Sequence, residues 1–306
     1  MSAVGAVSQL IRAATPHATA VRTALAELED ARVWLALQRG GVWCDARRID
    51  DDASVVPAGA TLVVRLPPDA GYPDVAIDPG WIIHEDADLL VVDKPAGVVV
   101  NAVPWDAQGN LQVALARWLL ARDGAIGRLH PAHRLDRETS GVLVFARSQR
   151  ANAGLQRAFA GGGAAKRYHG LATGRPAAPH LTLTTGHGRS AHGVFRTYPS
   201  DQIGRTLPDG STVKAMVTTF EFRGRDDGSW WFEAAPQTGR THQIRLHLAA
   251  LGCPLLGDRR YGGEPVWRGA ALTRHLLHAS RLTVPHPRDA LPVTFEAPAP
   301  DWLTGS

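Results

Sequence analysis

At 306 residues, 44% of them hydrophobic, the chain is long enough for one large domain or for a large and a small one around a substantial core. No stretch reaches the roughly 18 uninterrupted apolar residues of a membrane helix. The opening "MSAVGAVSQLIRAATPHATAVRTA" also lacks the charged start, apolar block and cleavage site of a leader, so a soluble protein kept in the cytoplasm is expected, at a modest net charge of +4.

"ARVWLALQRGGVWCDARRIDDDASVVPAGATLVVRL" reads in order as a short helix, a break at Gly40-Gly41, a strand, two small strands around Arg-Arg-Ile, a turn from Pro57 to Gly59 and a final alternating strand. Residues 67–80, rich in proline, glycine and acids without an apolar period, have the composition of a linker. This divides the chain into a small α+β domain, residues 1–78, and a main domain, residues 79–306. The main domain opens with two apolar strands in "WIIHEDADLLVVDKPAGVVV". "GNLQVALARWLLAR" has helical spacing through Leu111, Leu115, Trp118 and Leu119, and "GVLVFA" is a buried strand. Ser148 caps a helix with Ala151, Leu155 and Phe159 on one face, stopped by Gly161 to Gly163. "AKRYHGLATG" is a strand, and residues 175–212 form a polar excursion. "VKAMVTTFEFRG" and "SWWFEAAP" pair, Thr241 caps a helix that Gly252 ends, and "HLLHASRLTVPHP" and "LPVTFEAP" close the chain as strands. No repeat period is present. Strands and helices mix without βαβ alternation, so an α+β fold with a mixed, largely antiparallel β-sheet flanked by helices is expected.

Cys44 and Cys253 stand in no C-x-x-C arrangement and read as two buried thiols. Of the 33 positive residues only Lys94, Lys166 and Lys214 are lysine. Coding bias explains this as well as a polyanionic partner, whose phosphates guanidinium forks fit bidentately. The basic part is residues 235–290, with Arg240, Arg245, Arg259, Arg260, Arg268, Arg274, Arg281 and Arg288 against Asp258, Glu264 and Asp289. The pairs His130-x-x-His133 and His275-x-x-His278 have no third ligand in place, so neither a metal nor an external cofactor is expected. "AGGGAAK" lacks the spacing of a phosphate loop and follows a helix, where it serves as a stop.

"HRLDRETSG", residues 133–141, sets charge directly before the apolar strand. If residues 133–136 are extended, Arg134 and Asp136 share one face, with His133 and Leu135 on the other. An aspartate at a core edge needs a cationic or hydrogen-bonding partner to stay ionised, and can then serve as nucleophile or base. Spacing alone equally allows a structural ion pair. Tyr168 at the start of a strand and Arg245 in "THQIRLH" offer an aromatic hydroxyl and a cation, but no spacing makes the three converge.

"HRLDRETSGVLVFARS" resembles the catalytic motif of the RluA-type pseudouridine synthases, whose sister branch has glycine where His133 stands. "HEDADLLVVDKPAGVVV", "AKRYHGLATG" and "TGRTHQIRLHLAALGCPLLGDRRYGG" are similar to three further motifs of that family, in the same order, between about residues 82 and 263. The resemblance implies isomerisation of uridine to pseudouridine in ribosomal or transfer RNA. It implies Asp136 as the essential carboxylate, Tyr168 packed on the base and aiding proton removal there, and Arg245 as the counter-ion of Asp136. Arg134, His133, Thr139, Arg240 and His242 are implied as substrate-binding residues, in a monomer without an obligatory protein partner.

Residues about 26–66 resemble a degenerate ribosomal-protein-S-four-type RNA-binding domain, with the acidic run at 50–52 opposing phosphate; RNA contact there and a structural role both stay open. "GHGRSAHGVFRTY" stands where the family has a basic hairpin. Two other classes compete with the isomerase: a non-catalytic RNA-binding or folding protein on the same scaffold, and a carboxylate glycosidase, for which no second positioned acid is evident.

Overall fold

Period-2 alternation builds the first part of the chain. The computed structural model describes all residues except 1–8, 16–18, 27, 29, 50–53, 69–70, 125–127, 191–193 and 305–306. The acidic run at 50–52 and residues 191–193 of the polar excursion lie outside the described residues. In order come β1 (Gln9–Ala14), β2 (Thr19–Ala20), α1 (Val21–Ala26), α2 (Ala31–Gln38), β3 (Val42–Cys44), β4 (Arg47–Ile49), β5 (Val55–Val56) and β6 (Thr61–Leu66). Four strands form an antiparallel sheet in the order β1-β6-β3-β4, and β2 pairs with β5. Leu62, Val64 and Leu66 of β6 are buried and pack with Val33, Ala36 and Leu37 of α2 in one core. Asp30 caps α2 by accepting the Arg32 N–H. Sequence reading did not anticipate β1, because "QLIRAA" carries too short an alternation to stand out.

The chain forms two units: residues 1–77 with 99–126, and residues 78–98 with 127–306. Residues 99–126, which include helix α3 (Leu111–Asp123), lie beyond the linker yet group with the first unit. The reason is polar. Arg39 Nη2 donates to Asp106 Oδ2 at 2.6 Å, Trp43 Nε1 to the Pro104 carbonyl at 2.7 Å and Arg48 Nη2 to the Val103 carbonyl at 2.8 Å. Such bonds leave no apolar period to read.

The second unit contains β7 (Ile82–Glu85), β8 (Leu89–Lys94), β9 (His130–Pro131), β10 (Ser140–Ala146), α4 (Gln149–Ala160), β11 (Ala165–Ala172), β12 (His180–Arg189), β13 (Phe195–Tyr198), β14 (Lys214–Gly224) and β15 (Trp230–Pro236). These are followed by α5 (Gln243–Ala250), β16 (Val266–Trp267), β17 (Ala270–Ala271), β18 (Leu277–Pro285), β19 (Pro292–Glu296) and α6 (Asp301–Thr304). The main sheet runs β13-β12-β14-β15-β11-β18-β10-β8-β7, with β19 on β18 and β9 on β10. Its described pairs are antiparallel except β10 with β18. The expected α+β class with a mixed, largely antiparallel sheet is therefore the observed one. Every residue of β10 is buried, whereas β14 alternates, with Met216, Thr218, Phe220 and Phe222 inward. Strand β12 corrects the reading of residues 175–212 as an unpatterned excursion. "HLTLTTGHGR" alternates threonine with leucine, a weak apolar signal, yet pairs along its length with β14.

Candidate active site

The residues of "HRLDRETSG" are placed by β9 and β10, which pair antiparallel through Pro131 with Phe145 and His130 with Ala146. Between them the chain leaves the sheet, and the Thr139 N–H closes a turn on the Asp136 carbonyl at 3.1 Å. Re-entry requires Gly141. Its φ is +110°, and a Cβ there would lie 2.2 Å from the Ala279 carbonyl oxygen. Lys94, fully buried at the end of β8, holds the turn from the other side. Its Nζ donates to the carbonyls of Pro95 at 2.8 Å, Val98 at 2.7 Å and Arg137 at 3.0 Å. Burial lowers the Lys94 pKa to about 7, against the pull of Glu138 and Asp136.

Asp136 lies on a cavity of about 420 Å³ also lined by Arg134, Gln156, Lys166, Tyr168, Arg240, His242 and Arg245, within the roughly 300–1,000 Å³ common for pockets that enclose a small ligand. Arg245 Nη1 donates to Asp136 Oδ2 at 3.0 Å. The rest of the guanidinium forks onto Asp258, with Nε to Oδ2 at 2.7 Å and Nη2 to Oδ1 at 2.9 Å. Burial pushes the Asp136 carboxyl up, but His242 and Arg245 outweigh it and hold the group below its ordinary value, ionised at neutral pH. For Arg245, burial is overcome by Asp258 and then Asp136, so its cationic form is reinforced.

Asp258 is the residue that sequence reasoning missed. It corrects the expectation that no second acid stands near, although its side chain is only 1% exposed, is held at both oxygens by Arg245 and does not line the cavity. It stands in "GDRRYGG", the end of the last family-like motif, where it was counted among the acids of the basic part and given no role.

At Tyr168 the pairing of β11 with β18 shifts register, Arg167 opposing Arg281 and Tyr168 opposing Ala279, so the extra residue, Ser280, lies on β18. Burial first, and Asp136 second, raise the Tyr168 phenol above the ordinary tyrosine range, so it is neutral at neutral pH. His242, not Thr241, is the N-cap of α5, and it makes no side-chain capping bond. Its φ of +57° is uncommon for a residue with a side chain. The ring is fixed by a 2.7 Å hydrogen bond between Nδ1 and the Tyr261 hydroxyl, and Nε2 lies 3.9 Å from Asp136 Oδ1. Burial lowers the His242 pKa to about 4.

Of the remaining expected residues, Arg134 is exposed at the cavity and Arg240 is half-buried there, its Nε on the Ala215 carbonyl at 3.2 Å. His133 stacks on Phe159 and accepts the Val144 N–H on Nε2 at 3.2 Å. Burial lowers its pKa to about 3. Thr139 is 2% exposed, with its hydroxyl 2.9 Å from His275 Nε2. Lys166, two residues before Tyr168 and given no role in the sequence reading, donates to the Thr238 carbonyl at 2.9 Å, and burial lowers its pKa to about 8.

Away from this cavity, Asp86, Asp88 and His286 bring ligand-type atoms within 4.8 Å of one another. His286 Nδ1 accepts the Arg288 N–H at 3.3 Å and its Nε2 lies 3.1 Å from Asp86 Oδ2, while Arg288 Nη2 donates to Asp88 Oδ2 at 3.0 Å, so the group ties two turns together.

Residues 88–250 match the RNA pseudouridylate synthase family. The chain is 36% identical over 261 residues to RNA pseudouridine synthase 1 of Oryza sativa subsp. japonica, which covers 72% of this chain and 73% of the relative. It is 34% identical over 248 residues to ribosomal large subunit pseudouridine synthase D of Xylella fastidiosa, covering 77% and 70%. Among solved structures, human RNA pseudouridylate synthase domain containing 1 aligns with a TM-score of 0.55 at 26% identity, over 73% of this chain and 87% of that one. Human RNA pseudouridylate synthase domain containing 4 shares the fold, with a TM-score of 0.58 at 24% identity over 73% of this chain and 90% of that one. A family match over more than half of the chain, joined by relatives at this identity, makes the chain a member of the RNA pseudouridylate synthase family, an enzyme that isomerises uridine to pseudouridine in RNA.

Proposed function

We propose that Asp136 carries the isomerisation, acting on a uridine swung out of ribosomal RNA into the cavity. One observation carries this reading: the ionised Asp136 carboxylate is held at a single oxygen by Arg245, on a cavity that Tyr168 also lines. Flipping is required because a carboxylate cannot reach a glycosidic bond inside a base stack. The other oxygen of Asp136 is free to attack the anomeric carbon or to take a proton from the sugar; both routes break the bond from N1 to the ribose. Uracil then turns, C5 joins the ribose, the C5 proton leaves and N1 gains one, so the reaction is redox-neutral and balanced. The raised pKa of Tyr168 supports a neutral phenol packing on the base, and leaves the C5 proton to Asp136 or water.

Arg134, Arg240 and Lys166 line the cavity, which supports a role for them in meeting phosphates, with His133, Thr139 and His242 forming part of the wall. Ribosomal RNA is favoured over transfer RNA because relatives such as that of Xylella fastidiosa are named for the large ribosomal subunit. We assign residues 79–306 the catalytic role, together with an RNA contact by the first unit, where Arg12 and Arg47 are exposed. A cytoplasmic monomer fits two buried free thiols and the absence, among the described residues, of a helix able to cross a membrane. The test is pseudouridine mapping in RNA from cells lacking and then regaining the protein. A site that vanishes and returns in ribosomal RNA is expected; a site confined to transfer RNA would overturn the substrate assignment.

A further inference from the structure

Three separately encoded pieces of the site press on one stretch of backbone, residues 274–279. Gly141, five residues after Asp136, would place a Cβ 2.2 Å from the Ala279 carbonyl oxygen. Gly170, two residues after Tyr168, would place one 2.8 Å from the Leu276 carbonyl oxygen, and Gly257, directly before Asp258, one 2.0 Å from the Arg274 carbonyl oxygen. The same stretch is stitched to its neighbours by Leu276 N–H to the Leu256 carbonyl at 2.9 Å and Leu171 N–H to the Leu276 carbonyl at 3.2 Å. β18 lies beside β10 in parallel, with Ser140 opposite His278.

Two side chains of this stretch reach the catalytic loop. His275 Nε2 lies 2.9 Å from Thr139 Oγ1, and His278 Nδ1 lies 2.9 Å from Ser140 Oγ. All four residues are buried, with His275 at 3% and His278 at 2% exposure. We infer that His275 and His278 are positioning residues for the isomerisation, which fix the loop bearing Asp136 relative to Arg245 and Tyr168 by clasping the Thr139 and Ser140 hydroxyls. A stretch that touches all three segments aligns them, and neither His275 nor His278 lines the cavity. An error of about 1 Å in such alignment costs on the order of 100-fold in rate. Helical or apolar periodicity predicts neither bond, since each joins side chains more than 130 positions apart. The inference rests on the pseudouridine synthase activity, with Asp136 as its reacting group.

The test compares His275→Leu and His278→Leu with the amide variants His275→Gln and His278→Asn, whose side chains can replace either hydrogen-bonding role of the imidazole. The probe is total RNA from cells lacking the protein, labelled with 5-tritiated uridine, and the readouts are single-turnover tritium release, RNA retention on filters, and hydrogen exchange of residues 136–141. The leucine variants should lose about 10- to 100-fold in rate with RNA retention within about 2-fold, and exchange faster in the loop. The amide variants should keep the rate within about 3-fold. Equal loss in leucine and amide variants, unchanged rates, or loss of retention alone would overturn the proposal. Should a leucine variant fail to fold, Thr139→Val and Ser140→Ala remove the same bonds from the loop side and must both slow tritium release and speed exchange in the loop, with Ser140→Ala also leaving retention within about 2-fold. No tritium release by the wild-type protein would strike the functional reading alone, and the exchange comparison would still decide the clasp.

Discussion

At the scale of single residues, the site turns on one guanidinium shared between two carboxylates. Asp258 takes two of the Arg245 donors and Asp136 one, so the buried cation is oriented by a residue off the cavity, while the carboxylate proposed to react keeps an oxygen open. Breaking a buried pair leaves an uncompensated charge, at a cost of about 3–5 kcal/mol. Asp258→Asn should therefore destabilise the protein by that order in urea unfolding. It should also slow single-turnover tritium release even at saturating RNA, because Arg245 loses its fork. Unchanged stability with unchanged rate would show that Asp258 is idle. Sequence reading reached Asp136 and Arg134 because their motif sits at the edge of an apolar strand, and Arg245 only through the family resemblance; no pattern brought Asp258 to them, 122 positions from Asp136 in the chain. That a carboxylate is bound at both oxygens is a fact of tertiary geometry alone.

At the scale of elements, legibility followed apolar contrast. α4 was readable from Ser148, from Ala151 and Leu155 and from the glycines that stop it, and the structure has Ser148 as N-cap, accepting the Ala151 N–H. β14 and β15 were readable from their alternation. β12, rich in threonine, was not, and neither was the start of α5, where His242 takes a backbone conformation that no propensity predicts. The return of residues 99–126 to the first unit rests partly on carbonyls accepting from Arg48 and Trp43, which leave no pattern in sequence. The entry into β10 depends on Gly141, and its substitution tests the loop as an element. Gly141→Ala meets both a positive φ and the Ala279 carbonyl. It should lower the unfolding temperature and the turnover together, whereas Gly162→Ala, also at positive φ but with nothing within 4 Å, should cost only the conformational penalty of about 1 kcal/mol. Equal effects of the two would contradict the close approach of β10 and β18.

For the molecule as a whole, two predictions concern acid and salt. Burial lowers the pKa of His133 to about 3 and those of His242, His247, His275 and His278 to about 4. An unfolded chain protonates these groups near 6.5, so between about pH 6.5 and 4 unfolding takes up protons and stability falls as pH falls. Below that window Asp136, whose folded pKa is depressed, adds a loss of the same sign as it protonates. The unfolding free energy from urea titration should decline from pH 7 to pH 5 with a slope near pH 5 above the ~1.4 kcal/mol per pH unit of a single group; a flat profile would contradict the burial of these rings as neutral groups. Arg134, exposed at the cavity, should contribute one phosphate contact. Arg134→Ala is expected to weaken RNA binding and reduce the logarithmic salt slope by about 1 unit, while an unaltered slope would remove it from the RNA surface. The central claim is tested most directly by Asp136→Asn in the tritium-release assay. The variant keeps the Asp258–Arg245 fork, so it should fold and bind RNA as the parent does while releasing no tritium from C5; release at the parent rate would contradict the assignment of the reaction to Asp136.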